Sequence, residues 1–220
     1  MHFGIPTLAF RPAREGGNMR IGIIGTGNIA RTLGAAWARA GHEVAIAGRS
    51  PEKAQALADE LGARSVPLED VATGRDAVLV AVPWDASEQV VALAGVPSGT
   101  VLIDPTNAVG HGIGSLLIAP GESMAERIAS AAPGAHVVKA FHTFPFMQWT
   151  GPSEGRTPVV VMAGDDPGAL KAVGELARDL GGDPVVLGGL DRARQLEEVA
   201  GFVIGMAFAG HDPSAAVPAI

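Results

Sequence analysis

Six residues near the start of the chain, Gly25–Thr26–Gly27–Asn28–Ile29–Ala30, have the types and spacing that hold a pyrophosphate. In a G-x-G-x-x-A turn the first glycine permits a tight bend and the second lets backbone approach phosphate oxygens. The small third residue lets a helix pack closely on a strand. The helix that the turn opens offers unpaired N–H groups and a positive dipole end to an anion. Such a spacing gains weight from its surroundings. Here the strand pattern Ile21–Gly22–Ile23–Ile24 precedes it, an Ala-rich helical pattern follows, and a second strand pattern comes next. That second strand runs into Ala47–Gly48–Arg49–Ser50, with Lys53 one helical turn later. A carboxylate at this point would accept a ribose 2′-hydroxyl and repel a 2′-phosphate, whereas Arg grips a phosphate in bidentate fashion and Lys adds a point charge. The charges therefore predict NADP(H) rather than NAD(H). Ser50 has two readings: a hydroxyl donor to that phosphate, or the N-cap of a helix beginning at Pro51 and Glu52.

The elements that must position these groups follow from hydropathy. Short β-branched runs alternate with longer Ala-rich amphipathic runs from Met19 onward. Strands are predicted at 20–25, 43–48, 77–83, 100–104, 136–141, 158–163 and 184–187. Helices are predicted at 28–40, 51–61, 85–93, 122–131, 167–180 and 192–209. Continuous apolar strands separated by helices imply an α/β, Rossmann doubly wound and mostly parallel sheet, here with a small C-terminal extension. Three parts are expected: a poorly ordered N-terminal extension over 1–18, a dinucleotide-binding domain over 19–141, and a smaller C-terminal part over 142–220 that completes a second pocket.

Bulk properties narrow the partners. A hydrophobic content of 47% with 18% charged residues describes a globular chain with a real core. A net charge of -7 argues against nucleic acid. The chain has no cysteine, so disulfides and thiolate chemistry are excluded. No apolar run has the length of a membrane span, and no cluster has metal-ligand spacing, so a cytoplasmic protein acting on small molecules is expected. Two segments interrupt the alternation. Residues 105–121 form a Gly/Pro-rich loop with Thr106, Asn107 and His111, and residues 142–157 concentrate His142, Phe144, Phe146, Met147 and Trp149. Both follow strands, so both border the crevice beyond the carboxyl ends of an open parallel sheet. His142 has two readings, a polar group beside a bound ring or a strand-end residue bonding the backbone. Asn107 either bonds a carboxamide or ring carbonyl or serves a turn. Trp84, Phe144, Phe146 and Trp149 wall a planar ring or pack the protein. Gly201 and Gly205, four residues apart in the last helix, allow a close helix–helix approach within the chain or across a dimer.

These residues resemble the F420-dependent NADP reductases, which pass hydride between NADP(H) and a 5-deazaflavin. The resemblance rests on Gly25–Ala30 with Arg49 and Lys53, on Val82–Pro83–Trp84, and on Ala140–Phe141–His142–Thr143–Phe144–Pro145. It also rests on Ala163–Gly164–Asp165–Asp166 and Leu187–Arg194. It implies that Thr26, Gly27, Asn28, Ile29, Arg49, Lys53, Val82, Pro83 and Trp84 touch NADP. It implies that His142, Thr143, Pro145 and Phe146 border the nicotinamide or the deazaflavin (coenzyme F420), and that the protein is a homodimer. Gly48 stands where the family carries Ser, the Asp104–Pro105–Thr106–Asn107 turn is closer to ferric-reductase-like relatives, and the tail 211–220 differs from the family's apolar end. Hydride exchange between flat rings works by positioning, and no catalytic acid or base is assigned. Two other functions compete. One is NADPH-dependent reduction of a small imine or carbonyl, against which stands the short stretch after Leu187. The other is a non-catalytic module that senses NADP(H).

Overall fold

The structure is a computed structural model that describes residues 17–110, 112–149 and 157–217. The extension expected over 1–18 falls outside these residues except for Gly17 and Asn18, and His111 falls outside them too. Eight strands form one sheet: β1 (Arg20–Ile24), β2 (Glu43–Ala47), β3 (Arg64–Ser65), β4 (Ala77–Val80), β5 (Val101–Asp104), β6 (His136–Lys139), β7 (Val159–Gly164) and β8 (Asp183–Gly188). Their order is β3-β2-β1-β4-β5-β6-β7-β8. Every pairing is parallel except β6 with β7. The C-terminal strands thus add to the same sheet.

Among the described residues six α-helices cover it: α1 (Asn28–Arg39), α2 (Pro51–Leu61), α3 (Trp84–Ala94), α4 (Met124–Ala131), α5 (Pro167–Asp179) and α6 (Ala193–Phe208). Strand residues alternate between the two faces. Ile21, Ile23, Leu79 and Ile103 join Leu33, Trp37, Leu57 and Leu176 of α1, α2 and α5 in one core. Ile24, Val78, Val80 and Leu102 join Val90, Val91, Ile128 and Ala193 of α3, α4 and α6 in the other. The same alternation puts Asp104 and Lys139, paired in register at the ends of β5 and β6, on the α4/α6 face.

Two differences from the sequence pattern matter. Strand β6 stops at Lys139 rather than Phe141, because Phe141 adopts a positive φ of 61° and turns the chain. In the Gly201/Gly205 groove sits the loop after β5 rather than a helix: a Cβ on Gly114 would lie 2.3 Å from the Gly201 carbonyl oxygen. Gly114 itself has φ +70°, so the contact needs glycine for conformation and for space.

Candidate functional site

The β1–α1 turn lies where the strand order reverses, between β1 and β4. Gly25 has φ +125°, and a Cβ there would sit 2.0 Å from the Ala81 carbonyl oxygen, so no other residue fits. Gly27 is the N-cap of α1 and supplies no side-chain bond, and the first turn of α1 has no acidic residue. A Cβ on Gly27 would meet nothing within 4 Å, so the backbone faces open space. Its N–H groups are therefore available to an anion. A cleft of about 230 Å³ brings this turn together with Gly48, Arg49, Ser50, Lys53, Val82 and Pro83. Arg49 and Lys53 are exposed and make no ion pair among the described residues.

Ser50 is the N-cap of α2. Its Oγ accepts the Lys53 N–H at 3.3 Å and donates to Glu52 Oε2 at 2.8 Å, and this bond holds the Glu52 carboxyl below its ordinary range. The capping reading is thus what the geometry shows. Asn28 and Ile29 form the first turn of α1. Trp84 opens α3 and packs on Ala108, Ile118 and Met124.

A second constellation lies at the carboxyl ends of β5 and β6. Lys139, Asp104 and Glu197 are all fully buried. Lys139 Nζ donates to Asp104 Oδ2 at 3.0 Å and to Glu197 Oε1 at 2.9 Å, and also to the Thr106 carbonyl. Asp104 Oδ1 accepts the Thr106 N–H at 2.8 Å and its Oγ1–H at 2.6 Å. Glu197, reaching over from α6, accepts the Met124 N–H at 2.9 Å at the start of α4. Burial pushes the Glu197 carboxyl up while Lys139 pulls it down. Sequence reasoning missed this cluster; its one local signal is a lysine closing the apolar strand His136–Lys139.

His142 follows three residues on, 6% exposed, with no partner for Nδ1 or Nε2 among the described residues. Among these residues its ring bonds no backbone group. Burial, and then the Lys139 ammonium, push its imidazole down to about 3. Asn107 donates through Nδ2 to the His142 carbonyl at 2.6 Å, while its buried Oδ1 has no partner among the described residues. Trp149 Nε1 likewise has no partner among the described residues. Trp149 stacks edge-on against Phe141 and Phe144, with centroids 5.9 and 5.7 Å away. Thr143 and Phe146 are half-buried and Pro145 is exposed beside them. Among the described residues no group of three His, Asp or Glu side chains could hold a metal. No helix among them is long and apolar enough to cross a membrane.

An open parallel sheet with a glycine-cornered phosphate turn at its switch point defines a Rossmann dinucleotide-binding protein. Residues 20–108 match the family model described as NADP oxidoreductase, coenzyme F420-dependent. Over 208 residues the chain is 30% identical to the F420-dependent NADP reductase of Methanothermobacter thermautotrophicus, covering 86% of this chain and 89% of that protein. The chain belongs to that family of NADP-dependent oxidoreductases. The crystal structure of a putative F420-dependent NADP reductase from Arthrobacter sp. superposes with a TM-score of 0.76 at 26% identity, covering 89% of this chain and 97% of that one. The metalloreductase STEAP3 of Rattus norvegicus is 29% identical over 82% of this chain, which spans only 36% of that protein's length.

Proposed function

We propose that the protein transfers hydride between NADP(H) and a 5-deazaflavin, coenzyme F420, or a similar flavin acceptor. The observation that carries this reading is a division of labour. One end of the crevice offers open backbone N–H groups and unpaired cations. The other offers buried neutral polar atoms without partners. The first suits phosphates, and the second suits the carboxamide or carbonyl edge of a flat ring. NADP(H) would be held by the 25–29 turn, Gly48, Arg49, Lys53, Val82 and Pro83, with Ser50 capping the helix beneath. Asn107, His142, Thr143, Pro145 and Phe146 would border the nicotinamide or the acceptor ring.

When bound, the dinucleotide supplies or accepts the hydride. This chain's residues hold the two rings in line, the positioning catalysis that such a transfer requires. In this reading 19–141 is the NADP-binding part and 142–220 completes the acceptor pocket. A cytoplasmic homodimer, drawn from family resemblance, belongs to the same proposal, and sedimentation of the purified chain checks the dimer.

Stopped-flow absorbance with NADPH and a panel of ring acceptors tests the reading. Rapid NADPH oxidation by a deazaflavin supports it. Oxidation only by an imine or carbonyl compound points to the small-substrate reductase instead. Binding without turnover of any acceptor points to a sensor.

A further inference from the structure

His142 is held from three sides. Upstream, the Lys139 ammonium has three acceptors, Asp104 Oδ2, Glu197 Oε1 and the Thr106 carbonyl, which ties together β5, β6 and α6. Glu197 also bonds the first N–H groups of α4. Between Lys139 and His142, Phe141 takes a φ of 61°. That conformation is strained for a residue with a Cβ and persists only where the surroundings over-determine it. Here the ring of Phe141 is clamped edge-on between Trp37 and Trp149, with centroids 6.0 and 5.9 Å away. On the third side, Asn107 holds the His142 carbonyl at 2.6 Å.

Burial first, and then the Lys139 ammonium of β6, oppose protonation of the imidazole. The carboxylates behind the ammonium, Asp104 of β5 and Glu197 of α6, spend their oxygens on Lys139, on Thr106 and on the α4 N–H groups. Among the described residues no carboxylate bonds either ring nitrogen. A buried imidazole near an ammonium, with no carboxylate bonded to either ring nitrogen among the described residues, holds no second proton. It keeps one donor and one acceptor nitrogen.

We propose that Lys139, clamped by Asp104 and Glu197, is a positioning residue for His142, and that His142 meets the bound ring as a neutral donor–acceptor. This rests on the acceptor-side reading given above. His142 then hydrogen-bonds the ring without giving or taking a proton. The proton that balances hydride uptake by a ring acceptor comes from water.

Imidazole NMR of the full chain, assigned with His142→Gln, tests it. In the wild type the His142 ring stays neutral from about pH 8 to about pH 5, and its signals move on adding NADPH or the deazaflavin. In Lys139→Met the ring takes up a proton at higher pH than in the wild type. That variant also loses roughly tenfold or more in kcat, with the Kd for NADPH held within about twofold. Glu197→Gln keeps an oxygen for Lys139 and Met124 but leaves the ammonium less neutralised, so His142 stays neutral; a merely structural role would move both variants alike. A wild-type His142 titrating near its ordinary range overturns the proposal, as does a raised His142 pKa in Glu197→Gln. So does a Lys139→Met protein that matches the wild type. If Lys139→Met does not fold, the other two spectra still decide. Unmoved His142 signals with both ring ligands overturn this proposal, whereas shifts without turnover overturn the functional reading alone.

Discussion

The two ends of the crevice handle charge in opposite ways. At the carboxyl ends of β1 and β2, Arg49 and Lys53 stand exposed without an ion pair among the described residues, and α1 begins on a glycine with no capping side chain. At the carboxyl ends of β5 and β6, the buried Lys139 is ion-paired with the buried carboxylates of Asp104 and Glu197. There α4 begins with a full capping box from Ser123 and Glu126, and Glu197 is added from α6. One end lacks an anion and the other carries its own. Two helix N-termini in one sheet thus do different work, because one is left open and the other is filled from within.

The largest expected effect breaks the filled end. Lys139→Met leaves two carboxylates buried without their cation and should cost about 3–5 kcal/mol of folding stability, read by urea denaturation. Arg49→Ala at the open end should stay within roughly 0.5 kcal/mol in the same assay. Comparable losses at both ends would erase the contrast. Binding reverses the ranking. Arg49→Ala removes a charge-assisted contact of roughly 1.5–3 kcal/mol, so NADPH affinity should fall about ten- to hundredfold while NADH affinity barely changes. Equal losses for the two dinucleotides would sink the assignment of Arg49 to the 2′-phosphate.

Acid sharpens the comparison next. The His142 imidazole is held down to about 3 by burial and then by Lys139, whereas in the unfolded chain it protonates near 6.5. Between those values the unfolded chain binds the extra proton, so stability falls as pH drops through that window. Glu197 works the other way. Its folded pKa is raised, so its burial costs stability above its ordinary range, and that cost fades on acidification. His142→Gln should therefore flatten the acid limb of a thermal-melt series, and an unchanged limb would show that His142 is not its source. Arg49→Ala should leave the limb in place.

How much of this the residues revealed in advance depends on whether the cue was local. Helix α2 is bounded as expected, because Ser50, Pro51 and the left-handed Gly62 are adjacent signals for its ends. The phosphate turn was legible for the same reason: its six residues are contiguous and framed by two strands. Strand β3 escaped notice because two residues on a sheet edge carry no period. The end of β6 was misplaced because the left-handed Phe141 is imposed by Trp37 and Trp149, which are far off in sequence. The Lys139 cluster needs the register of β5 against β6 and the approach of α6, and neither can be read from spacing. What was legible of the site is therefore its open end.

The smallest effect separates two roles that the open end merges in one residue. Ser50 accepts the Lys53 N–H as the cap of α2 and donates its proton to Glu52. If capping is its whole work, Ser50→Ala should cost about 0.5–2 kcal/mol of stability. NADPH and NADH affinities should then change by the same small factor, since both dinucleotides lean on the same helix. If the hydroxyl leaves Glu52 for a 2′-phosphate, NADPH alone should weaken, by roughly tenfold for one charge-assisted bond. Glu52→Gln then tells whether the carboxylate competes. With the anion gone from beside Arg49 and Lys53, NADPH should bind several-fold tighter at low salt, and the gain should shrink as salt screens these exposed charges. No gain at low salt would mean that Glu52 stands clear of the phosphate and that Ser50 is only a cap.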